Sequence, residues 1–506
     1  MNYTYPQLED VLKFTKCGMS IKVSGFKTNF VAKELLKKDT YVYAKIENSD
    51  KGFIYMYDNA SGVYKLVQEK DILRNIKNFL EHYDSDLVRM SALNEIVDLM
   101  VTEMDTIPLD NFDNNPQIIN FQNGILDLDT LKLSPHSKDA LCTVQMPVEW
   151  NGNFVEHPEL AQSPIFDKYL NTLTDGYSEK DRNDIKTVLL EVIGVVLSNI
   201  PGYKFKKALL VYGKGNTGKT QIRNLAISLV GERNSAVVEL ADLETREGPS
   251  RAYKKRLIGS GDMKFGTAGQ IATFKDATGG ETLPIRFLYK EAFPAKITGV
   301  FWFGANFLPL FGGDKGDWVY ERFIPVQCKN VIPEEERDPD LLEKLLTEKD
   351  AIVYKAIMAM REAVKRGYRY TIPESSKKDL EVYKSVNNII VEFFNEHCIN
   401  LMAGIDYDDA AVKFCDLKSS HSSAVIFNTF RNWAKSNYNT TPTKADFENT
   451  IAEILGIARD KITVRTAEMR AYYGFDILDI LLNFFSEYNK SSLNLYSSIT
   501  FIQDSV

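Results

Sequence analysis

The chain has 506 residues, 44% hydrophobic and 26% charged, the balance of a water-soluble globular protein with room for roughly three to four domains. Its formal net charge of −8 excludes a passive, chain-wide cationic coat for nucleic acid but leaves room for a local basic channel, because phosphate contacts follow the local field. Five cysteines and five histidines are scattered, with no CxxC pair and no zinc spacing, which argues against a disulfide framework or zinc ribbon and fits reduced thiols in a cytoplasm.

The start, "MNYTYPQLEDVLKF", lacks the basic-then-apolar order of a signal peptide. Strands are predicted at "TYVYAKI", "GFIYMYD" and "VYKLV", with "DNASG" as the turn between the last two. A helix is predicted from Asp71, with Ile72, Ile76, Phe79 and Leu80 on one face. "FQNGILDLDTLKLSPHS" reads as a hairpin turning near Asp129 and Thr130. Sequence from Phe166 to Ile200 is helix-rich, and the apolar run Val188 to Ile200 is too short to span a bilayer, so it reads as a buried helix despite Glu191 and Asn199.

The strand "ALLVY" then runs into Gly213, Lys214, Gly215, Asn216, Thr217, Gly218, Lys219 and Thr220, which fit G-x-x-x-x-G-K-[ST] at every fixed position. An amphipathic helix comes next, with Ile222, Leu225, Ala226, Leu229 and Val230 on one face and Gly231 at its end. Glycines let backbone N–H groups line a concave anion nest, and the helix N-terminus adds partial positive charge. Lys219 is placed to reach β and γ phosphates, and the Thr220 hydroxyl to help hold Mg²⁺. These eight residues are therefore the expected ATP site.

Downstream, "KKRLIGSGDMKF" has an apolar strand ending at Asp262, a single acid where many metal-binding strands carry two. "VFWFGANFLPLF" ends a strand at Asn306, and "GDKGDWVYERFIPVQ" sets Arg322 just before another strand. "LPIRFLYKEAFPAK" (Leu283 to Lys296) reads as a hairpin in which Arg286 and Lys290 alternate with Phe287 and Tyr289, a pattern suited to phosphates and bases. Residues from Pro333 to Arg366 read as helices, and "TIPESSKKDLEVYK" as a linker feeding another helix. After the polar break "DLKSSHSSA", the segments from Val425 to Leu478 read as two helices and a two-stranded wing, where Lys461, Arg465 and Arg470 could touch duplex DNA. The pair Asp127 and Asp129 in "ILDLD" resembles a metal-binding primase motif, but the N-terminal part lacks room for a primase domain, and a structural hairpin is the preferred reading.

The order of the phosphate loop, "RLIGSGD", "FKDATGGE", "LYKEAF", "FGANFLP" and "DWVYERFIPV" resembles the superfamily 3 helicases, and more closely their phage/plasmid and poxvirus primase-helicase branch, over residues 115–330. The resemblance implies an α/β chain with an AAA+-like P-loop core in a hexameric ring, ATP between subunits, and single-stranded DNA in the channel. It implies Walker A at Lys219 and Thr220, motif B at Asp262 (where relatives usually carry Glu), and a further motif at Lys275, Gly279, Gly280 and Glu281. Asn306 falls on the sensor, Arg322 on the finger, and Arg286 and Lys290 on a channel hairpin.

The expected organisation is an N-terminal mixed α/β domain (1–115), a helix-rich pre-helicase region (116–200), the ATPase core (201–330), a helical lid and linker (331–415), a winged-helix-like domain (416–485) and a tail (486–506). The expected function is an ATP-dependent DNA helicase of a phage, plasmid or mobile element, travelling 3′ to 5′ in the bacterial cytoplasm, with a separate primase or other replication proteins as partners and no membrane. An origin-binding initiator that melts DNA locally, a primase-helicase, and a non-helicase P-loop ATPase in defence or assembly stay open as alternatives.

Overall fold

The computed structural model describes residues 3–17, 20–47, 49, 51–263, 271–287, 291–306, 320–386, 423–438, 443–445 and 447. Contacts divide the chain into two units, one formed by residues 1–265, 271–308 and 321–376 and the other by 266–270, 309–320 and 377–506.

The first unit begins with a two-stranded antiparallel ribbon, β1 (Leu12–Cys17) and β2 (Ser20–Phe26). Next comes a four-stranded sheet of order β5-β4-β3-β6, built from β3 (Tyr41–Lys45), β4 (Gly52–Asp58), β5 (Val63–Leu66) and β6 (Asp105–Pro108). β3 is antiparallel to β4 and parallel to β6, and helices Glu69–Glu81 and Met90–Glu103 make the crossover between β5 and β6. The predicted helix face is buried as expected: Ile72, Ile76, Phe79 and Leu80 pack with Leu35, Leu93, Ile96 and Met100. Apolar residues three and four apart meet on one side of a helix, so this face had one place to go.

β7 (Ile118–Phe121), β8 (Gly124–Asp127) and β9 (Leu133–Ser134) form a small antiparallel meander. Its second turn is tied by Asp127, whose carboxylate accepts from the Asp129 and Thr130 N–H groups and from the Thr130 hydroxyl. The bonds from Thr130, backbone and then side chain, hold that carboxyl below its usual range. Asp127 is therefore a turn residue, in line with the structural reading of "ILDLD".

The central sheet is wholly parallel, with order β11-β12-β15-β10-β16. Its strands are β10 (Ala208–Tyr212), β11 (Ser235–Ala236), β12 (Leu257–Ile258), β15 (Val300–Ala305) and β16 (Phe323–Gln327). β10 and β15 are buried along their whole length, which is why both read as unbroken apolar runs rather than alternating ones. Beside this sheet, β13 (Leu283–Ile285) pairs antiparallel with β14 (Phe293–Ala295).

One core runs from Ile119 to Tyr370 and joins the meander, helix Glu179–Leu197, the parallel sheet and helix Lys349–Lys365. The Ser178 side chain caps helix Glu179–Leu197, and Glu179 and Asp181 place negative charge in its first turn. The charge in its apolar half, Glu191, is fully buried. It accepts from Arg366 and from both the N–H and the hydroxyl of Thr371, at 2.7 Å each for Thr371.

The second unit is described at Tyr320, at residues 377–386 of helix Glu374–Val386, at helix Ser423–Tyr438 and at residues near Phe447. Phe427 and Phe430 meet the Phe447 ring at centroid distances of 5.7 and 4.9 Å. The expected wing, with Lys461, Arg465 and Arg470, lies outside the described residues, as does the tail.

Removing Arg366 leaves the Glu191 carboxylate buried beside Thr371 alone. Arg366→Ala should lower unfolding stability by about 3 kcal/mol, the low end for breaking a buried ion pair, because the Arg366 side chain is 43% exposed and can hydrate. The urea midpoint measures this, and an unchanged midpoint would show that the pair is not a staple.

Candidate nucleotide-binding site

β10, flanked by β15 and β16, delivers the chain to the 213–218 loop, and helix Lys219–Val230 leaves it. Gly213 has φ +147°, and a Cβ there would lie 2.3 Å from the Cys328 carbonyl oxygen, so only glycine fits. Asn216 and Gly218 adopt φ of +61° and +87°. Left-handed residues inside a tight turn are how a backbone forms an anion-binding concavity. Gly218 supplies no side-chain cap to the helix, so the first N–H groups of that helix depend on acceptors from outside the cap position.

Lys219 is 8% exposed. Its Nζ donates to the Lys214 carbonyl at 3.1 Å and to Asn306 Oδ1 at 2.9 Å. Asn306 Nδ2 in turn lies 3.4 Å from Asp262 Oδ1. Asp262 is held there by backbone pairing beyond β12: the Gly304 N–H donates to the Ser260 carbonyl and the Met263 N–H to the Gly304 carbonyl, both at 2.7 Å. Lys219, Asn306 and Asp262, far apart in sequence, thus form one polar chain at the carboxyl ends of adjacent strands. Thr220 and Asp262 are both exposed beside it.

Sequence reading missed the residues that brace this loop. The Tyr169 hydroxyl donates to the Gly218 carbonyl at 2.8 Å, and burial pushes that phenol well above its usual range, so it remains a donor. The Ile332 N–H donates to the Asn216 carbonyl at 2.9 Å. Thr217 donates its hydroxyl to the Lys214 carbonyl at 3.1 Å. Arg223, one turn into the helix, donates to the Gly259 carbonyl at 2.6 Å and ties the helix to the Asp262 segment, while burial lowers its pKa. The basic, helical position of Arg223 was visible, but nothing local in the sequence marked Tyr169 or Ile332.

The remaining expected residues sit elsewhere. Arg322 precedes β16 and donates to the Thr278 carbonyl at 3.0 Å, and burial lowers its pKa. Thr278 belongs to helix Ala272–Gly279, which also carries Lys275, and Gly280 closes that helix with φ +80°. Register places Ala208 opposite Phe323, so Arg322 lies at the amino ends of the strands and the loop at their carboxyl ends. The two are about 20 Å apart along the sheet. Arg286 comes directly after β13 and is half-buried. Phe287 turns inward against Tyr253 and Phe293, at 6.3 and 6.0 Å between ring centroids, so this aromatic is packing rather than a free stacking surface. Tyr289 and Lys290 lie outside the described residues. Among the described residues no group of three His, Cys, Asp or Glu side chains is placed to hold a metal ion, and no helix is long and apolar enough to cross a membrane.

The braced strand–loop–helix is thus a tight backbone turn at the carboxyl end of the parallel sheet. Residues 31–175 match a model described as D5 N terminal like, and residues 211–322 match a family of unknown function, DUF5906. A putative helicase 121R of invertebrate iridescent virus 3 is 22% identical over 382 residues, covering 66% of this chain, which spans only 39% of that protein's length. The A-form apo structure of the NrS-1 C-terminal region aligns over 87% of this chain and 98% of its own, at 14% identity and a TM-score of 0.46. These matches support a likeness to the phage and viral primase-helicase family.

The Cys328 backbone forms the floor under Gly213, and burial raises its thiol to about 12 despite the opposing Lys219 charge and Thr217 contact. Cys142 is likewise raised to about 12 by burial. Thiolate is the reactive form, so iodoacetamide at mildly alkaline pH should leave both unlabelled until denaturant is added, as read by peptide mass mapping. Rapid labelling of Cys328 in the native chain would contradict this packing of the loop.

Proposed function

We propose that this chain is an ATP-dependent DNA helicase serving replication of a phage, plasmid or other mobile element. The reading rests most on one observation: the Lys219–Asn306–Asp262 chain and Arg322 lie at opposite ends of one parallel sheet. Lys219 already makes two hydrogen bonds to protein oxygens that β and γ phosphate oxygens can replace. Exchanging the Asn306 bond for phosphate would free that side chain to orient water. The Thr220 hydroxyl and the Asp262 carboxylate suit Mg²⁺, which keeps several waters and phosphate oxygens as ligands and would neutralise developing charge.

Arg322 cannot serve its own loop across about 20 Å of sheet. It can serve the loop of a neighbouring subunit, and such a finger accelerates phosphoryl transfer by roughly 10³–10⁵-fold. A ring of subunits, with ATP at each seam, satisfies that geometry. The insertion of β15 between β10 and β12 puts Asn306 between loop and acid, which supports the AAA+-like reading. DNA would meet the β13–β14 hairpin through Arg286 and Lys290, with Lys275 at the base of the same region, and 3′-to-5′ travel rests on family resemblance alone. A C-terminal winged helix and a separate primase partner belong to the same proposal.

Lys219→Ala should abolish ATP turnover and strand separation. Arg322→Ala should keep nucleotide binding, read with a fluorescent ATP analogue, and lose turnover by roughly 10³-fold or more. Mixing the two variants should restore activity, since one interface type then carries both groups. Normal turnover by Arg322→Ala would remove the neighbour-supplied finger. ATP turnover that ignores DNA, with no unwinding, would favour a P-loop ATPase of another kind.

A further inference from the structure

The β1–β2 ribbon lies before both matched regions, which begin at residues 31 and 211. Only its base enters a core: Leu12 and Phe26 are buried, and the Lys27 N–H donates to the Val11 carbonyl at 2.8 Å. From Lys13 to Lys16 and from Ser20 to Ser24, every residue is exposed. The ribbon therefore stands in solvent with both faces uncovered, although a lone two-stranded ribbon has little intrinsic stability.

Its two faces differ. Register pairs Phe14 with Val23 and Lys16 with Ile21, which puts these four side chains on one face. Three of them are large and apolar, with exposures of 44% for Phe14, 36% for Val23 and 73% for Ile21. The other face is polar, with Thr15 opposite Lys22 and the Thr15 hydroxyl donating to the Ser24 hydroxyl at 2.8 Å. Residues 12–27 contain Lys13, Lys16, Lys22 and Lys27 and no acid, in a chain whose net charge is −8.

We infer that this ribbon is a docking surface for single-stranded DNA, separate from the proposed ATP site and its hairpin. An unbroken cationic segment on an acidic chain is matched by a phosphate backbone. A duplex major groove admits a two-stranded ribbon but offers it base edges, with the base faces stacked away, so Phe14 finds nothing there to stack on. Unstacked bases offer flat apolar faces that cover them, with stacking on Phe14 and phosphates on Lys13, Lys16 and Lys22.

The full chain, without nucleotide, is titrated into labelled oligothymidylate and followed by fluorescence anisotropy. Charge reversal at the three lysines (K13E, K16E and K22E together) should weaken binding at least about tenfold and flatten the slope of log K against log salt by about 2, at roughly 0.7 per lost phosphate contact. Phe14→Ala should weaken it by roughly tenfold, and the unmodified chain should bind a duplex of similar length less tightly. The same losses should appear on the Lys219→Ala background, so failure of the ATPase reading and failure of this surface are separable. Ultraviolet cross-linking of oligothymidylate to the unaltered chain should map to peptides within residues 12–27, which keeps the test valid if a variant fails to fold. Unchanged affinity and slope in the charge-reversed chain, equal losses on duplex, no cross-link in the ribbon, or a change in subunit number without DNA would each overturn the assignment.

Discussion

The parallel pairing of β10 with β16 fixes everything the proposed chemistry can do. Parallel strands share one polarity, so a loop leaving the end of β10 and a residue entering the start of β16 must face opposite ends of the sheet. The 213–218 loop leaves the first strand, and Arg322 enters the second. No side-chain rearrangement within one subunit can close that gap, whereas association of subunits can. The sheet therefore turns a question about catalysis into one about assembly.

Loop conformation is set by long-range contacts more than by its own glycines. Gly213 is required because the Cys328 carbonyl presses on it, and Gly218 is anchored through its carbonyl by Tyr169. The helix beyond is tied by Arg223 to the segment that carries Asp262. Cys328 and Tyr169 sit in the same apolar core as helices Glu179–Leu197 and Lys349–Lys365. Rigidity at the proposed phosphate site is thus inherited from a core extending well past the loop, and Glu191 with Arg366 holds a distant part of it together.

Patterns with a short period or a fixed spacing were legible in the sequence. The amphipathic helix at Glu69–Glu81, the apolar strand β10, the helix after the loop and the β13–β14 hairpin all stand where periodicity and turn residues placed them. The order of strands was not legible, because a β-strand records its burial but not its neighbour. Nor could Phe287 be assigned a direction: alternation with basic residues suggested a base-stacking face, yet Tyr253 and Phe293 claim the ring. Glu191 shows the converse, since a charge in an apolar run marks a buried partner without naming it. The braces Tyr169 and Ile332 left no local trace, as each makes its hydrogen bond to a loop residue distant in the chain.

The most direct measurement is single-particle imaging of the chain with a non-hydrolysable ATP analogue and single-stranded DNA. The account predicts a closed ring in which Arg322 of each subunit points at the phosphate loop of the next, with one DNA strand inside. Solitary particles, or a ring with Arg322 remote from every nucleotide, would contradict it.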